Sequence, residues 1–244
     1  MKIGITRIRN EEHIIQDTLD HVSKLVDKII VLDDCSTDNT VEICKNHKAV
    51  IEIMRNLAWE ADIERRRKNE GRHRQALYER ALKTLKLSSS VDNWIYYFDA
   101  DEFADFEGID WTADVYRLRL FDYYITPEDA HLSWKHRTKI GPEYRDIAML
   151  FRANNRLRFL HRTPIVPNNL VTEIAGYVKH YGKAISPEEW DKTCRYYMRH
   201  RGNEFAKKWK PRIGKAIHTK SDFGANLITW DERVEKGYEL KDRM

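Results

Sequence analysis

The sequence predicts an α/β fold with a mixed, mostly parallel sheet flanked by helices, and three observations support this prediction. Strand-like apolar segments alternate with helix-like segments through the first part of the chain, as in strands joined by crossover helices. Residues Ile29–Leu32 are all apolar, which is typical of a strand buried on both faces. Acidic residues follow two of the apolar segments, at Asp33–Asp34 and at Asp99–Asp101. Such sheets bind ligands at the carboxyl ends of their strands, so these acids indicate the binding edge.

The elements of the first part can be assigned in order from their patterns. Four strands are predicted, at KIGITRI, DKIIVLDD, AVIEIMR and WIYYFDADEF. Three helices separate them, at RNEEHIIQDTLDHVSKL, at CSTDNTVEICKNH and over about residues 60–87. In the first helix, Ile15, Leu19 and Val22 recur at helical spacing and define the predicted buried face.

The second part of the chain has a different pattern, which predicts a smaller antiparallel and helical portion. DVYRLRLFDYYI alternates as an antiparallel strand does, and AMLFRANNRLRFL predicts a hairpin that turns at Asn154–Asn155. Residues 186–209 predict one helix, which Ser186 opens with a capping box to Glu189. The lysine-rich residues 211–244 are poorly periodic and predict an irregular tail or lid. The simplest interpretation is one domain over residues 1–244, with halves at 1–108 and 109–210 and this tail.

Composition excludes several classes of protein. The 244 residues are 41% hydrophobic and 34% charged, with a mean hydropathy of −0.70, which indicates a water-soluble chain with a sizeable core. No apolar run approaches the roughly 20 residues that a membrane-spanning helix needs. Three cysteines without a Cys-X-X-Cys pair argue against a disulfide framework and a structural zinc site. We therefore expect a cytoplasmic protein with no integral membrane contact and at most peripheral association with a membrane.

The Asp-X-Asp sequence at residues 99–101 indicates a cation site. In an extended strand end, side chains two residues apart point the same way, so Asp99 and Asp101 are expected to face one ion. Mg²⁺ and Mn²⁺ typically take one or two protein carboxylates and complete their coordination with phosphate and water. The tripeptide alone is a weak signal, and its position directly after the apolar residues Ile95–Phe98 strengthens it.

Two other polar segments have both a structural and a functional interpretation. The acids of DDCSTD are suited to accepting hydrogen bonds from a base or ribose, and equally to capping the following helix. We expect both roles, divided among Asp33, Asp34 and Asp38. The basic segment at residues 64–74, ERRRKNEGRHR, is either a solvated helix face or a set of anion-binding side chains.

Four segments together resemble a known enzyme family. ITRIRNEEHI, VDKIIVLDDCSTDNT, GRHRQALYERAL and WIYYFDADEF, in this order and spacing, resemble the inverting glycosyltransferases of family 2, which have the Rossmann-like GT-A fold. The resemblance covers residues 2–106 and makes residues 1–108 the nucleotide-sugar-binding half. It implies transfer of a sugar from a nucleotide-sugar, with a UDP-sugar favoured, to a hydroxyl of a carbohydrate or glycoconjugate acceptor. It also implies inversion at the sugar and assistance by Mn²⁺ or Mg²⁺.

The resemblance further implies which residues bind the donor and the metal. Asp101 is the principal metal ligand, with Asp99 beside it and His180 as a later ligand. The donor-binding set comprises Thr6, Arg7, Arg9, Asn10, Glu11, Asp33, Asp34, Arg72, Arg74, Asp99 and Ala100. Three positions depart from the family pattern: Arg9 replaces an aromatic residue, Gln75 an asparagine, and Arg162 an acid that usually follows a histidine.

An inverting transfer needs a carboxylate that removes the proton of the acceptor hydroxyl. In the family that this chain resembles, the base follows the metal motif along the chain. The resemblance therefore places it in residues 109–210, the predicted acceptor-side half. Asp146 and Glu143 are the first candidates there, and Asp129 follows.

Three other functions compete with this interpretation. A sugar-nucleotide pyrophosphorylase, a nucleotidyltransferase of similar layout, carries a glycine-rich loop after its first strand, whereas this chain has TRIRNEE after Gly4. A basic nucleic-acid-binding module would suit the segment at 64–74, but the net charge is only +4 and acids interrupt most basic stretches, so we expect no nucleic-acid partner. An inactive relative that only binds is disfavoured by the intact Asp99 and Asp101.

Overall fold

The computed structural model describes residues 1–86, 92–153, 157–200, 203–233 and 238–239. Its helices are α1 (Ile15–Val22), α2 (Thr40–Asn46), α3 (Ile63–Leu85), α4 (Pro187–His200) and α5 (Asn203–Trp209). Its strands are β1 (Lys2–Ile8), β2 (Lys28–Asp34), β3 (Val50–Asn56), β4 (Trp94–Tyr97), β5 (Glu102–Asp105), β6 (Val115–Tyr123), β7 (Lys139–Arg152), β8 (Arg158–Phe159), β9 (Pro164–Ile165), β10 (Thr172–His180), β11 (Ile228–Thr229) and β12 (Tyr238–Glu239).

The chain divides into two compact units. The first unit comprises Met1–Leu118 and Ile147–Tyr177, and the second comprises Arg119–Asp146 and Val178–Met244. Strands β6, β7 and β10 contribute residues to both units. The sequence-based division at residues 108 and 210 stays a prediction.

The sheet of the first unit confirms the predicted fold class. Its strand order is β3-β2-β1-β4-β7-β6-β10-β5. Strands β6, β7 and β10 belong to this unit only in part. Strand β1 is parallel to both β2 and β4, and β2 is parallel to β3. Strand β7 then runs antiparallel to β4, so the sheet is mixed. The four predicted strands are β1 to β4, and the three predicted helices are α1 to α3.

The core of the first unit forms where helices pack on these strands. As predicted, Ile15, Leu19 and Val22 of α1 are fully buried. On α3, Leu77 and Ala81 join one hydrophobic cluster with residues of β1, β2 and β4. Burying each such side chain contributes on the order of 1.5–3 kcal/mol, so the packed faces rather than helix propensity hold these elements in place.

Helix α3 approaches a neighbouring segment of the chain without room for a side chain at Gly71. The helix begins after Asp62, whose carboxylate accepts a hydrogen bond from the Arg65 N–H at 2.8 Å. A Cβ atom at Gly71 would lie 2.3 Å from the backbone oxygen of Leu160. The glycine therefore sets how closely α3 and the backbone of Leu160 pack.

The structure corrects the predicted hairpin. Strand β8 pairs with β9 rather than with β7, through Arg158 opposite Ile165. The reason lies in Phe159, whose N–H donates to the Gln75 side chain of α3 at 2.9 Å and whose ring packs against Tyr78. The predicted turn at Asn154–Asn155 lies outside the described residues.

In the second unit the predicted helix over residues 186–209 corresponds to α4, which covers Pro187–His200, and to α5, which covers Asn203–Trp209. The predicted start is correct, since the Glu189 N–H donates to the Ser186 hydroxyl at 3.2 Å. Beyond residue 210, β11 pairs antiparallel with the part of β7 that belongs to this unit. Among the described residues, no helix has the length and apolar character to cross a bilayer.

Candidate active site

The carboxyl ends of β1, β2 and β3 bring a set of polar side chains together in the first unit. The parallel register places Asp33 beside Ile8 and Asp34 beside Asn56. Asp33 is fully buried and accepts hydrogen bonds from the Ser36 N–H at 3.0 Å and from Arg55 Nε at 3.4 Å. The Asp33 carboxylate therefore fixes the loop that follows β2. The structural role expected for an acid of this segment was capping of α2, whose N-cap is Asn39, without a side-chain capping hydrogen bond.

Asp34 is the centre of a polar cluster that includes Arg7 and His73. Its carboxylate accepts hydrogen bonds from Arg7 Nη2 and, at 2.7 Å, from Asn56 Nδ2. Arg7 Nε donates to His73 Nδ1 at 3.4 Å. Burial lowers the pKa of His73, although the nearby Asp34 carboxylate acts in the opposite direction. A neutral His73 accepts from Arg7, so two groups orient the Arg7 guanidinium.

Asn10 and Glu11 connect the loop after β1 to the loop after β2. The Asn10 side chain accepts from the Thr37 N–H at 2.8 Å, and its own N–H donates to the Ser36 hydroxyl at 3.0 Å. The Glu11 N–H donates to Thr40 Oγ1 at 2.7 Å. Asn10 has a positive φ of 56°, a conformation that asparagine adopts more readily than most residues. Hydrogen bonds thus join the Asn10–Glu11 pair to the segment that contains Ser36, Thr37 and Thr40.

Arg9 and Thr6 occupy contrasting environments at this edge. The Arg9 guanidinium lies 3.3 Å from the centre of the Trp59 ring, and Arg66 lies 5.1 Å from the same ring. Trp59 therefore supplies an aromatic face at the position where Arg9 replaces the expected aromatic residue. The Thr6 hydroxyl is buried and has no hydrogen-bond partner among the described residues. Arg72 of α3 is exposed to solvent, as expected if the basic segment at residues 64–74 is a solvated helix face.

The Asp-X-Asp segment lies in a turn, and the predicted extended geometry is wrong. Strand β4 ends at Tyr97, and the Glu102 N–H donates to the Asp99 carbonyl at 3.2 Å. The Glu102 carboxylate in turn accepts from the Asp99 N–H at 2.9 Å and is fully buried. Ala100 is buried, and its carbonyl accepts a hydrogen bond from Thr18 Oγ1. Two hydrogen bonds between Asp99 and Glu102, one in each direction, therefore fix the backbone of the turn.

Tyr97 and Arg74 hold the Asp99 carboxylate. The Tyr97 hydroxyl donates to Asp99 Oδ1 at 2.5 Å and accepts from Arg74 Nε at 2.7 Å. Burial alone would lower the pKa of Arg74, but Tyr97 and Asp99 raise it above its usual value. Burial raises the pKa of Tyr97, which keeps its hydroxyl protonated. Arg74 is only 5% exposed, so in the structure it acts on Asp99 rather than presenting itself to solvent.

Arg162 binds the same turn from the other side. Its Nε lies 3.2 Å from Asp99 Oδ2, and its Nη2 pairs with the Glu102 carboxylate. Burial opposes the charge on Arg162, yet Asp99 raises its pKa above the usual value. The residue that replaces the acid of the family pattern is therefore the cationic partner of the predicted metal motif. Sequence reasoning noted this substitution but did not predict its partners.

The oxygen ligands of this turn fit a small divalent cation. Asp101 is half-buried, and its carboxylate lies within 4.8 Å of that of Glu102. Carboxylate oxygens are the ligands that Mg²⁺ and Mn²⁺ prefer. Asp101 is the residue of this turn that the sequence predicts as the principal ligand, and this role stays a prediction.

The three candidate bases lie in the second unit and differ in their environments. Glu143 is buried and accepts a hydrogen bond from the Ser221 hydroxyl at 2.6 Å. Asp129 is buried, accepts from the Thr126 N–H at 2.9 Å and lies 3.5 Å from Arg137 Nη1. Asp146 is half-buried and thus the most accessible of the three.

His180 lies at the end of β10 with its Nδ1 2.5 Å from Asp122 Oδ1. Beside a carboxylate the Nδ1 carries the proton, which leaves the lone pair of a neutral ring on Nε2. Burial alone would raise the pKa of Asp122, but Lys183 and Arg145 hold it well below its usual value. Asp122 is therefore ionised and orients the His180 ring.

Comparison with known proteins shows similarity to glycosyltransferases over part of the chain. The family described as "Glycosyl transferase family 2" matches residues 5–110, which include the residues that the sequence predicts to bind the donor. The glycosyltransferase SunS of Bacillus subtilis strain 168, derived from the SPbeta prophage, is 27% identical over 185 residues. The SunS protein of Bacillus phage SPbeta matches equally. The alignment covers 71% of this chain but only 38% of these relatives.

Solved structures show weaker likeness. A 4-diphosphocytidyl-2C-methyl-D-erythritol synthase is 12% identical, with a TM-score of 0.37 over 62% of this chain and 75% of its own. The glucosyl-3-phosphoglycerate synthase of Mycobacterium tuberculosis, in complex with Mn²⁺, UDP and glucosyl-3-phosphoglycerate, is 20% identical. Its TM-score is 0.30 over 55% of this chain and 47% of its own. Likeness at this level carries no argument about the chemistry of this chain.

Proposed function

We propose that the protein transfers a sugar from a nucleotide-sugar, with a UDP-sugar favoured, to a hydroxyl of a carbohydrate or glycoconjugate acceptor. The configuration at the anomeric carbon is inverted. The observation that carries the proposal is the fixed Asp99–Glu102 turn, which lies within the region that matches the glycosyltransferase family. A cytoplasmic location, with at most peripheral association with a membrane, belongs to the same proposal.

The first unit binds the donor in this proposal. Asp34 and Arg7 form the polar pair that recognises the nucleotide, with Thr6, Arg9 and the Asp33 loop around them. Arg74 and Tyr97 act indirectly, since they hold the Asp99 carboxylate in place. Their contribution is preorganisation, because a fixed carboxylate needs no reorganisation when the charged substrate binds.

Asp101, with Asp99 beside it, would hold Mn²⁺ or Mg²⁺. When bound, the cation supplies a Lewis acid that stabilises the negative charge of the diphosphate leaving group. Arg162 adds a fixed positive charge at the same turn. His180 stays a prediction as a further metal ligand, and its orientation by Asp122 suits a ligand that binds through Nε2.

The acceptor hydroxyl needs a base, and Asp146 is the preferred residue. The acceptor oxygen forms a bond to the anomeric carbon, the bond from that carbon to the diphosphate oxygen breaks, and the carboxylate takes the hydroxyl proton. Asp146 is more exposed than Glu143 and Asp129, both of which accept hydrogen bonds inside the second unit. Glu143 is the second candidate and Asp129 the third.

A panel of nucleotide-sugars tests the proposal by release of the nucleoside diphosphate with and without Mn²⁺. The wild-type protein should release it with at least one donor, and Asp101→Asn should lose this activity. Asp105→Asn is the matched control, because Asp105 is exposed and belongs to the same acidic segment. Release of pyrophosphate from a sugar phosphate and a nucleoside triphosphate would instead favour the nucleotidyltransferase.

A further inference from the structure

Five charged side chains of the second unit form a continuous chain of ion pairs, called here the charged chain. Lys183 lies at its centre, with Nζ 2.7 Å from both Asp122 Oδ2 and Asp222 Oδ2. Arg145 Nη2 donates to Asp122 Oδ1 at 2.8 Å. Arg212 Nη1 donates to Asp222 Oδ2 at 3.1 Å. The order is thus Arg145, Asp122, Lys183, Asp222 and Arg212, with an arginine at each end.

The charged chain has more positive than negative charge. Arg145, Lys183 and Arg212 all pair with the carboxylates of Asp122 and Asp222, so three cations face two carboxylates. A partly buried excess charge is costly unless a counter-charge compensates it. The surplus positive charge indicates that an anion belongs at this place.

The two ends of the charged chain are the accessible part. The side chains of Arg145 and Arg212 are 37% and 23% exposed, whereas that of Lys183 is 14% exposed. Each guanidinium has five N–H donors, and within the described residues each arginine uses one nitrogen in the chain. Arg212 also lies 5.1 Å from the centre of the Trp209 ring, which restricts its plane. Both ends therefore keep donor capacity for a ligand.

We propose that the charged chain is a binding site for a phosphate or carboxylate group, which Arg145 and Arg212 contact and whose charge balances the excess. The planar fork of a guanidinium matches the oxygens of these anions. Lys183 is a positioning residue, since it holds the two carboxylates that orient the arginines. The site does not depend on glycosyl transfer, and its binding is measured without any donor. If the proposed function holds, the anion belongs either to the acceptor or to the donor diphosphate.

Calorimetric titration with inorganic phosphate, at low ionic strength and without metal, tests the site. The wild-type protein should bind phosphate, and Arg145→Gln and Arg212→Gln should each weaken binding by about tenfold or more, as expected for a lost charge-assisted hydrogen bond. Lys192→Gln is the matched control, because it removes an exposed cation of the same unit outside the charged chain. Absence of phosphate binding, or equal binding by all variants, would overturn the proposal.

Two further measurements keep the test decisive. If a glutamine variant does not fold, Arg145→Lys and Arg212→Lys keep the charge but lose the planar fork, and they should bind phosphate more weakly than the wild type. Unchanged affinity in both lysine variants would contradict the proposed contacts. Titration with UDP distinguishes the two sources of the anion. Weaker UDP binding by Arg145→Gln and Arg212→Gln would assign the site to the donor diphosphate, whereas unchanged UDP binding with weakened phosphate binding would assign it to an acceptor.

Discussion

Arg162 Nε lies 3.2 Å from Asp99 Oδ2, so an arginine from a segment about sixty residues away is the cationic partner of the Asp-X-Asp turn. The same guanidinium pairs with Glu102, whose carboxylate is fully buried. An arginine of the same unit contacts the turn, and the charge of the turn is partly neutralised from within the first unit.

Replacement of Arg162 by glutamine should destabilise the protein, because it leaves the buried Glu102 carboxylate without its cation. Breaking a buried ion pair from one side typically costs about 3 kcal/mol, which urea unfolding would measure. The control combines Glu102→Gln with Arg162→Gln in a double variant. The second substitution removes the carboxylate that Arg162→Gln leaves without a cation. The double variant should be more stable than Arg162→Gln alone, and an equal or lower stability would contradict the pairing.

Replacement of Tyr97 by phenylalanine should remove the two hydrogen bonds that join Arg74 to Asp99. The expected loss is about 1.5–3 kcal/mol of unfolding free energy, the usual range for a hydrogen bond to a charged group. Tyr96→Phe is a closely matched control, because the Tyr96 hydroxyl is buried and has no hydrogen-bond partner among the described residues. Chemical denaturation of both variants checks this. A loss from Tyr96→Phe as large as that from Tyr97→Phe would contradict the assigned role.

Replacement of Gly71 by alanine should destabilise the first unit, although alanine is the better helix former by roughly 1 kcal/mol. The new methyl group would meet the Leu160 carbonyl oxygen, which lies 2.3 Å from the required Cβ position. Overpacking of this kind typically costs about 1–3 kcal/mol. The midpoint of thermal unfolding measures the change. A raised midpoint would show that α3 and the Leu160 segment do not pack this closely.

The stability of the second unit should depend on pH through Asp122. Its folded pKa lies below the unfolded value of about 3.9, so its ionisation stabilises the fold above that pH. The contribution is lost as the pH falls below about 4 towards the folded pKa. Unfolding free energies at pH 7 and pH 3 should therefore differ less in Asp122→Asn than in the wild-type protein. An identical pH dependence would refute the contribution of Asp122.

The elements that the sequence predicts well are those with a local pattern. Continuous apolar runs predicted β2 and β4, and helical spacing predicted the buried face of α1 at Ile15, Leu19 and Val22.

The geometry of the Asp99–Glu102 turn could not be predicted, because its determinants are distant along the chain. Arg74 lies on α3, before the whole of β4, and Arg162 follows Asp99 by about sixty residues. No local periodicity encodes such pairs. Gly71 offered one signal, since a glycine inside a helix is unfavourable relative to alanine and often has a packing reason.

The measurement that tests the central claim most directly is calorimetric binding of UDP to the wild-type protein and to Asp101→Asn, each with and without Mn²⁺. The proposed function predicts that Mn²⁺ strengthens UDP binding to the wild-type protein and has no such effect on Asp101→Asn. Asp105→Asn should behave as the wild type does, because it lies outside the turn. Mn²⁺-dependent UDP binding that survives in Asp101→Asn, or that is absent from the wild-type protein, would contradict the metal and donor assignment.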